Sequence, residues 1–198
     1  MLGVHINAAT CPELLKYCID CVSGLADHIV VHWQGKSNTG KNIPHDYKSI
    51  CNDLGVVSLE FTPIDISAKA NETLKRNIGL NTLKSLGCKI AMSLDEDELY
   101  DPERLSWAYD YFRKNPVYDA AICRLQSYYK LPTYRVTPPE DYFAPVFYRL
   151  NDDSSLVRSC THGLWGKYKV DPSRKMWPVN FVKRFSRDEL EIHTKKGV

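Results

Sequence analysis

An α/β fold, with a mainly parallel sheet flanked by helices, is what this 198-residue sequence predicts. Three observations carry the expectation. Apolar runs of strand length alternate with helical stretches through the first 115 residues. Proline, aspartate and glycine punctuate them where helices begin and end. After residue 116 the pattern changes to short aromatic or β-branched runs separated by Pro, Asn, Asp and Ser.

Taken in order, "LGVHINA" (2–8) reads as a strand and "CPELLKYCIDCVSG" (11–24) as a helix with Pro12 in its first turn. Leu14, Leu15, Cys18, Val22 and Leu25 share one face of that helix. "DHIVVHW" (27–33) is mostly apolar, as a central strand should be. A polar, Gly-containing loop (34–42) precedes a short helix (45–55) closed by Gly55, and "VVSLEF" (56–61) is a third strand. Residues 66–87 hold a longer helix ending at Gly87, "CKIAMSL" (88–94) is a fourth strand, and 101–115 a further helix. This order implies right-handed parallel crossovers. The runs "YDAAICRLQSYYK", "TYRV", "PVFYRL" and "LVRSC" suit mixed or antiparallel sheet edges, with long aromatic loops such as "CTHGLWGKYKVDPSRKMWP" between them. No internal repeat, low-complexity segment or linker divides the chain. We expect one domain, with residues 1–115 and 116–198 as its two halves. The end at "HTKKGV" also suits one domain of a longer polypeptide.

Composition excludes several classes. Apolar and charged fractions of 43% and 25% are those of an ordinary globular protein, and a net charge of +2 gives a nucleic-acid role no support. No apolar run approaches the roughly 18 residues of a membrane span, and the N-terminus shows no cleavable signal, so a cytosolic location is expected. The seven cysteines are scattered. Cys18-x-x-Cys21 falls mid-helix and has no second pair to complete a zinc site, so reduced, packed thiols are the expectation.

"SLDEDELYDP" (93–102) carries the strongest chemical signal. Asp101 before Pro102 is a helix cap, and Glu103 lies in the first turn. Asp95, Glu96, Asp97 and Glu98 precede the cap without such a local role, at the carboxyl end of the fourth strand, where open α/β sheets bind ligands. If the strand stays extended, Asp95 and Asp97 point to one side. Two neighbouring carboxylates favour a divalent ion between them, Mg²⁺ or Mn²⁺, often shared with substrate phosphates. A solvated acidic turn is the plainer alternative.

"NETLKRNIGLNTLKSLGCKIAMSLDEDELYDPERL" resembles the central stretch of GT-A-fold nucleotide-sugar glycosyltransferases, in which a strand ends in D-x-D. "GVHINAATCPELLKYCIDCVSGLADHIVVHWQG" is similar to that family's first βαβ unit. The resemblance spans about residues 2–110, and glycosyltransferases encoded by large algal viruses are the expected closer relatives. It implies a metal-dependent hexosyl transfer from a UDP-sugar to a glycan or glycoprotein acceptor, in the host cytoplasm if the protein is viral. Asn7, Ala8 and Thr10 would border the nucleoside. Asp95 would lie near ribose and metal, and Asp97 would bind the Mn²⁺ or Mg²⁺ that bridges the diphosphate. Arg76 matches a basic position near the nucleotide, although a solvated helix charge would explain it as well. Many relatives end the second strand in two aspartates; here "HWQG" offers Gln34 for a base edge and Trp33 for stacking.

An inverting reaction also needs a carboxylate base. Asp141 in "PPEDYF" is the first choice, beside Glu140, with Asp171 and Asp188 as rivals and turn or cap roles open for each. His193 lies where some relatives place a metal ligand, and His162 beside Gly163 is a candidate for the sugar pocket; both also read as ordinary surface histidines. Two other functions remain open. A nucleotidyltransferase acting on Mg-NTP would use a similar site, yet "NAATCPELL" lacks the Gly-rich basic loop usual there. A non-catalytic carbohydrate- or nucleotide-binding module would explain the aromatic loops but not the D-x-D.

Overall fold

The computed structural model of the chain describes residues 1–38, 40–64, 67–128, 143–151 and 175–184. Of residues 69, 124–127, 143–144 and 175–184 the backbone alone is described. The elements run β1 (Leu2–Asn7), α1 (Pro12–Ser23), β2 (His28–Trp33), α2 (Tyr47–Asp53), β3 (Val57–Glu60), α3 (Ala68–Ser85), β4 (Ile90–Asp95), β5 (Glu98–Leu99), α4 (Pro102–Lys114), β6 (Tyr118–Ser127), β7 (Phe143–Arg149) and β8 (Lys175–Arg184). The fold is α/β, as expected. Its strands form one sheet in the order β3-β2-β1-β4-β7-β6-β8-β5.

The first four strands to join, β3, β2, β1 and β4, are mutually parallel. β2, β3 and β4 are each reached through a helix, the connection that parallel neighbours require. Gly55 and Gly87, at φ 66° and 80°, follow α2 and α3 and turn the chain in the left-handed region that glycine enters without strain. Asp46, Ser67 and Asp101 cap α2, α3 and α4 by accepting from the backbone N–H groups of Ser49, Ala70 and Arg104.

The later strands form the mixed and antiparallel region expected of them, but inside the sheet rather than at its edges. β7 pairs antiparallel with β4, β6 antiparallel with β7, and β8 parallel with β6, so they extend the sheet from its centre. The reason is burial of β4. With β1 on one side its other edge would present unpaired backbone groups, and β7 satisfies them. "TYRV" and "LVRSC" lie outside the described residues.

The sheet has two unlike faces. On one, Leu2, Val4 and Ile6 of β1 pack with Leu15, Cys18, Ile19 and Val22 of α1 and with Leu105, Ala108 and Phe112 of α4. Ile19 takes the inner place, whereas Leu14 and Leu25 are half-buried. On the other face lies α3, whose Leu80 and Leu83 join Val30, Ala91, Tyr148 and Leu150. Burying each such leucine is worth about 1.5–3 kcal/mol. Toward the carboxyl ends of the strands this face becomes polar: His5, His32, Ser93, Asn71 and Lys75 are all buried there. Gly79 makes the approach possible, since a Cβ at that position would lie 2.4 Å from the His5 ring.

Cys11, Cys18, Cys21, Cys51, Cys88 and Cys123 are free thiols. Burial raises the pKa of each, which leaves them protonated and unreactive. No helix among the described residues is long and apolar enough to cross a membrane.

Candidate functional site at the carboxyl edge of the parallel strands

β1 and β4 run in register so that Asn7 stands opposite Asp95, the last residue of each strand. Asn7 Nδ2 donates to Asp95 Oδ1 at 2.8 Å. The same oxygen accepts from Arg76 Nη2 at 2.5 Å, across an ion pair whose side chains are 15% and 19% exposed. Arg76 also donates to Ser93 Oγ at 3.2 Å and pairs with Glu72 at 3.3 Å. Burial works against its charge, but Asp95 and Glu72 outweigh that and raise its pKa. Arg76 is therefore a partly buried partner of the first D-x-D acid rather than a solvated helix charge.

The strand does not stay extended through the acidic run. β4 ends at Asp95, and Glu96 and Asp97 form a turn before β5. Two of these acids have structural roles, a distant one for Glu96 and a local one for Glu98. The backbone N–H groups of Ala9, Thr10 and Cys11 donate to Glu96 Oε1 at 2.8, 2.5 and 2.7 Å, and Tyr47 Oη donates to Oε2 at 2.6 Å. Cys11 makes no capping bond of its own, so Glu96 serves the start of α1 from 85 residues away. Glu98 Oε2 accepts from the Asp95 N–H at 3.3 Å. Asp97, in the turn, is 9% exposed, so the extended strand end that would set it beside Asp95 is replaced by a largely buried turn.

A second basic residue, missed in the sequence, lies deeper. Lys75 is 1% exposed, and its Nζ donates to the Ala8 carbonyl at 2.8 Å and to Gln34 Oε1 at 3.1 Å. Burial lowers its pKa to about 7, against the opposing pull of Glu96 and Asp95. Gln34 is thus buried against α3, its Nε2 donating to Asn38 Oδ1 at 3.4 Å, while Trp33 packs partly buried on the main core. Next to them His5 and His32 meet edge to face at 4.9 Å. Burial, then the His32, Arg76 and Lys75 charges, lower His5 well below the ordinary histidine value. Burial and then Lys75 bring His32 to about 4.

Of the residues singled out in the sequence, Asn7, Ala8, Thr10, Gln34, Arg76, Asp95 and Asp97 come together at this edge, joined through Glu96 and Lys75. Asp141, His162 and His193 lie outside the described residues, as do Glu140, Asp171 and Asp188. Among the described residues no three His, Cys, Asp or Glu side chains converge to hold a metal ion. A signal for Lys75 exists in hindsight: Asn71, Lys75, Gly79 and Leu83 recur every four residues, one stripe of α3 in which a glycine marks close approach.

No family model matches the chain, and no curated protein matches it. Solved structures do show likeness. One is a cytidylyltransferase from Leptospira borgpetersenii, 14% identical, with 75% of this chain and 60% of that one aligned at a TM-score of 0.47. Another is a 4-diphosphocytidyl-2C-methyl-D-erythritol synthase, 9% identical, with 75% of each chain aligned at a TM-score of 0.47. A third, described as a glucose-1-phosphate thymidylyltransferase from Bacillus anthracis, is 8% identical, with 75% and 72% covered and a TM-score of 0.46. The likeness is distant, and it concerns the fold.

Proposed function

We propose that the chain is a nucleotide-sugar glycosyltransferase whose donor, a UDP-sugar, lies across the carboxyl ends of β1 and β4. The observation that supports this most is the register of Asn7 with Asp95, with Arg76 against them and Asp97 in the turn beyond. That is the end of an open α/β sheet where nucleotides bind. Asn7, Ala8 and Thr10 border the nucleoside, and Asp95 and Arg76 form the floor beneath the ribose and diphosphate.

A hard divalent ion taking one or two carboxylates, with substrate phosphate oxygens and water completing its shell, suits Asp95 and Asp97. A bound Mn²⁺ or Mg²⁺ supplies Lewis-acid stabilisation of the leaving diphosphate. His193 is a further ligand in this proposal, His162 lines the sugar pocket and Asp141 takes the proton from the acceptor hydroxyl of a glycan or glycoprotein.

A second reading, nucleotidyl transfer from Mg-NTP, is the class of two of the solved structures named above and would use the same edge. The loop after β1 bears on the choice. Its three N–H groups, which would otherwise suit a phosphate, are held by Glu96.

The deciding experiment incubates the protein with UDP-sugars, or with NTP and sugar 1-phosphates, each with and without Mn²⁺, and identifies products by mass spectrometry. Mn²⁺-dependent release of UDP supports the glycosyltransferase. Release of pyrophosphate with a nucleotide sugar establishes the second reading. Binding of nucleotide or sugar without any product makes the chain a binding module.

A further inference from the structure

We propose that Lys75 is a positioning residue that ties the loops after β1 and β2 to α3 and so sets the shape of the nucleoside subsite. Its ammonium reaches Ala8 O, just past β1, and Gln34 Oε1, just past β2. One helical turn earlier Asn71, fully buried, continues the tie. Its Nδ2 donates to Asn38 O at 3.3 Å and to Ile64 O at 3.0 Å, and its Oδ1 accepts from the Ile64 N–H at 2.9 Å. Gln34 Nε2 closes the circuit onto Asn38. Two side chains of one helix therefore hold three loops that leave three neighbouring parallel strands at the same edge.

The tie is costly to build and would not arise from packing alone. A lysine this buried gives up its hydration, and an apolar side chain of similar length would fill the space without that cost. What the amine adds is two directed bonds, one to each of two loops. Gly79, one turn later on the same stripe, sets the helix close enough for Lys75 to reach. Loops held this way lose little freedom when a ligand binds, which raises affinity by pre-organisation.

The inference takes its ligand from the glycosyltransferase reading but its geometry from the ligand-free protein, so two measurements are paired. Amide hydrogen exchange of residues 8–10 and 34–38 reads the tie without ligand, and titration calorimetry with UDP and Mn²⁺ reads its consequence. Lys75→Met keeps length and volume. It should speed exchange in both loops about tenfold and weaken UDP by a similar factor, the scale of losing hydrogen bonds to a polar or charged donor. Gln34→Leu, which removes the acceptor together with the bond to Asn38, should do the same for residues 34–38. Leu83→Ala, on the same stripe of α3, should lower the melting temperature while leaving loop exchange and the UDP affinity of the folded protein unchanged. Should Lys75→Met not fold, Gln34→Leu decides alone. Loop exchange at the wild-type rate in either variant overturns the proposal. If the wild-type protein binds no UDP while the loops still loosen, the tie stands and the uridine-nucleotide assignment falls.

Discussion

Glu96 accepts a 2.6 Å hydrogen bond from Tyr47 with one carboxylate oxygen while its other oxygen gathers the N–H groups of Ala9, Thr10 and Cys11. The pair joins the turn after β4 to α2 and to the start of α1. Both residues are buried, so each donor depends on this one carboxylate. Tyr47→Phe should lower stability by about 1.5–3 kcal/mol, the value of a hydrogen bond to a charged group. Glu96→Gln should cost at least as much, because the amide turns a donor toward one or more of four existing donors. Urea denaturation of both variants checks the order. Equal stability of Glu96→Gln and wild type would mean that the start of α1 does not need the carboxylate.

The acids of the run should separate by role. Asp97→Asn keeps shape and removes charge, and we expect transfer or donor hydrolysis to fall about 10²-fold, the scale of losing one electrostatic stabiliser of a leaving group. Asp95→Asn should also lose stability, by about 1–2 kcal/mol, since Arg76 would face a neutral oxygen in place of its ion-pair partner. Asp101→Asn should be silent in both assays, because its work is to cap α4 and Asn caps about as well. Steady-state kinetics with Mn²⁺ and thermal denaturation on all three variants test this. Wild-type turnover by Asp97→Asn would reduce the turn to a structural corner.

What was legible in the sequence was local. Alternating periodicity, the Asp101-Pro102 cap and the glycines after α2 and α3 depend on neighbours within a few residues, and those elements formed where expected. The role of Glu96 depends on residues 49 and 85 positions away and has no periodic signature. Helix α3 was hardest to orient, since three of the five buried residues described in it are Asn71, Lys75 and Gly79, which an apolar pattern cannot reveal. The histidines passed unnoticed for the same reason. On the neighbouring strands β1 and β2, His5 and His32 occupy inward positions beside polar groups brought in by α3.

Those buried bases give the protein a pH dependence whose sign follows from proton counting. His32 titrates at about 4 when folded and near 6.5 when unfolded, and His5 is lowered in the same direction. Between those values the unfolded chain binds more protons, so stability rises with pH from about 4 to 6.5. Lys75 repeats the pattern higher. Its folded value of about 7 lies below the unfolded 10.5, so stability rises again above pH 7. From about pH 9 the buried thiols oppose it, since Cys11 keeps its proton to about 11 when folded and releases it near 9.0 when unfolded. The clean window is therefore pH 7 to 8.5, where one proton gives a gain of at most about 2 kcal/mol. Lys75→Met should flatten that window and leave the acid limb steep. His32→Phe should do the reverse: it removes a ring whose two nitrogens meet no hydrogen-bond partner among the described residues, so it should not destabilise at pH 7 and should raise stability at pH 5. Urea titrations of wild type and both variants at pH 5, 7 and 8.5 measure the slopes. A wild-type curve flat from 7 to 8.5, or one that Lys75→Met leaves unchanged, would show that Lys75 keeps its ordinary charge in the folded protein.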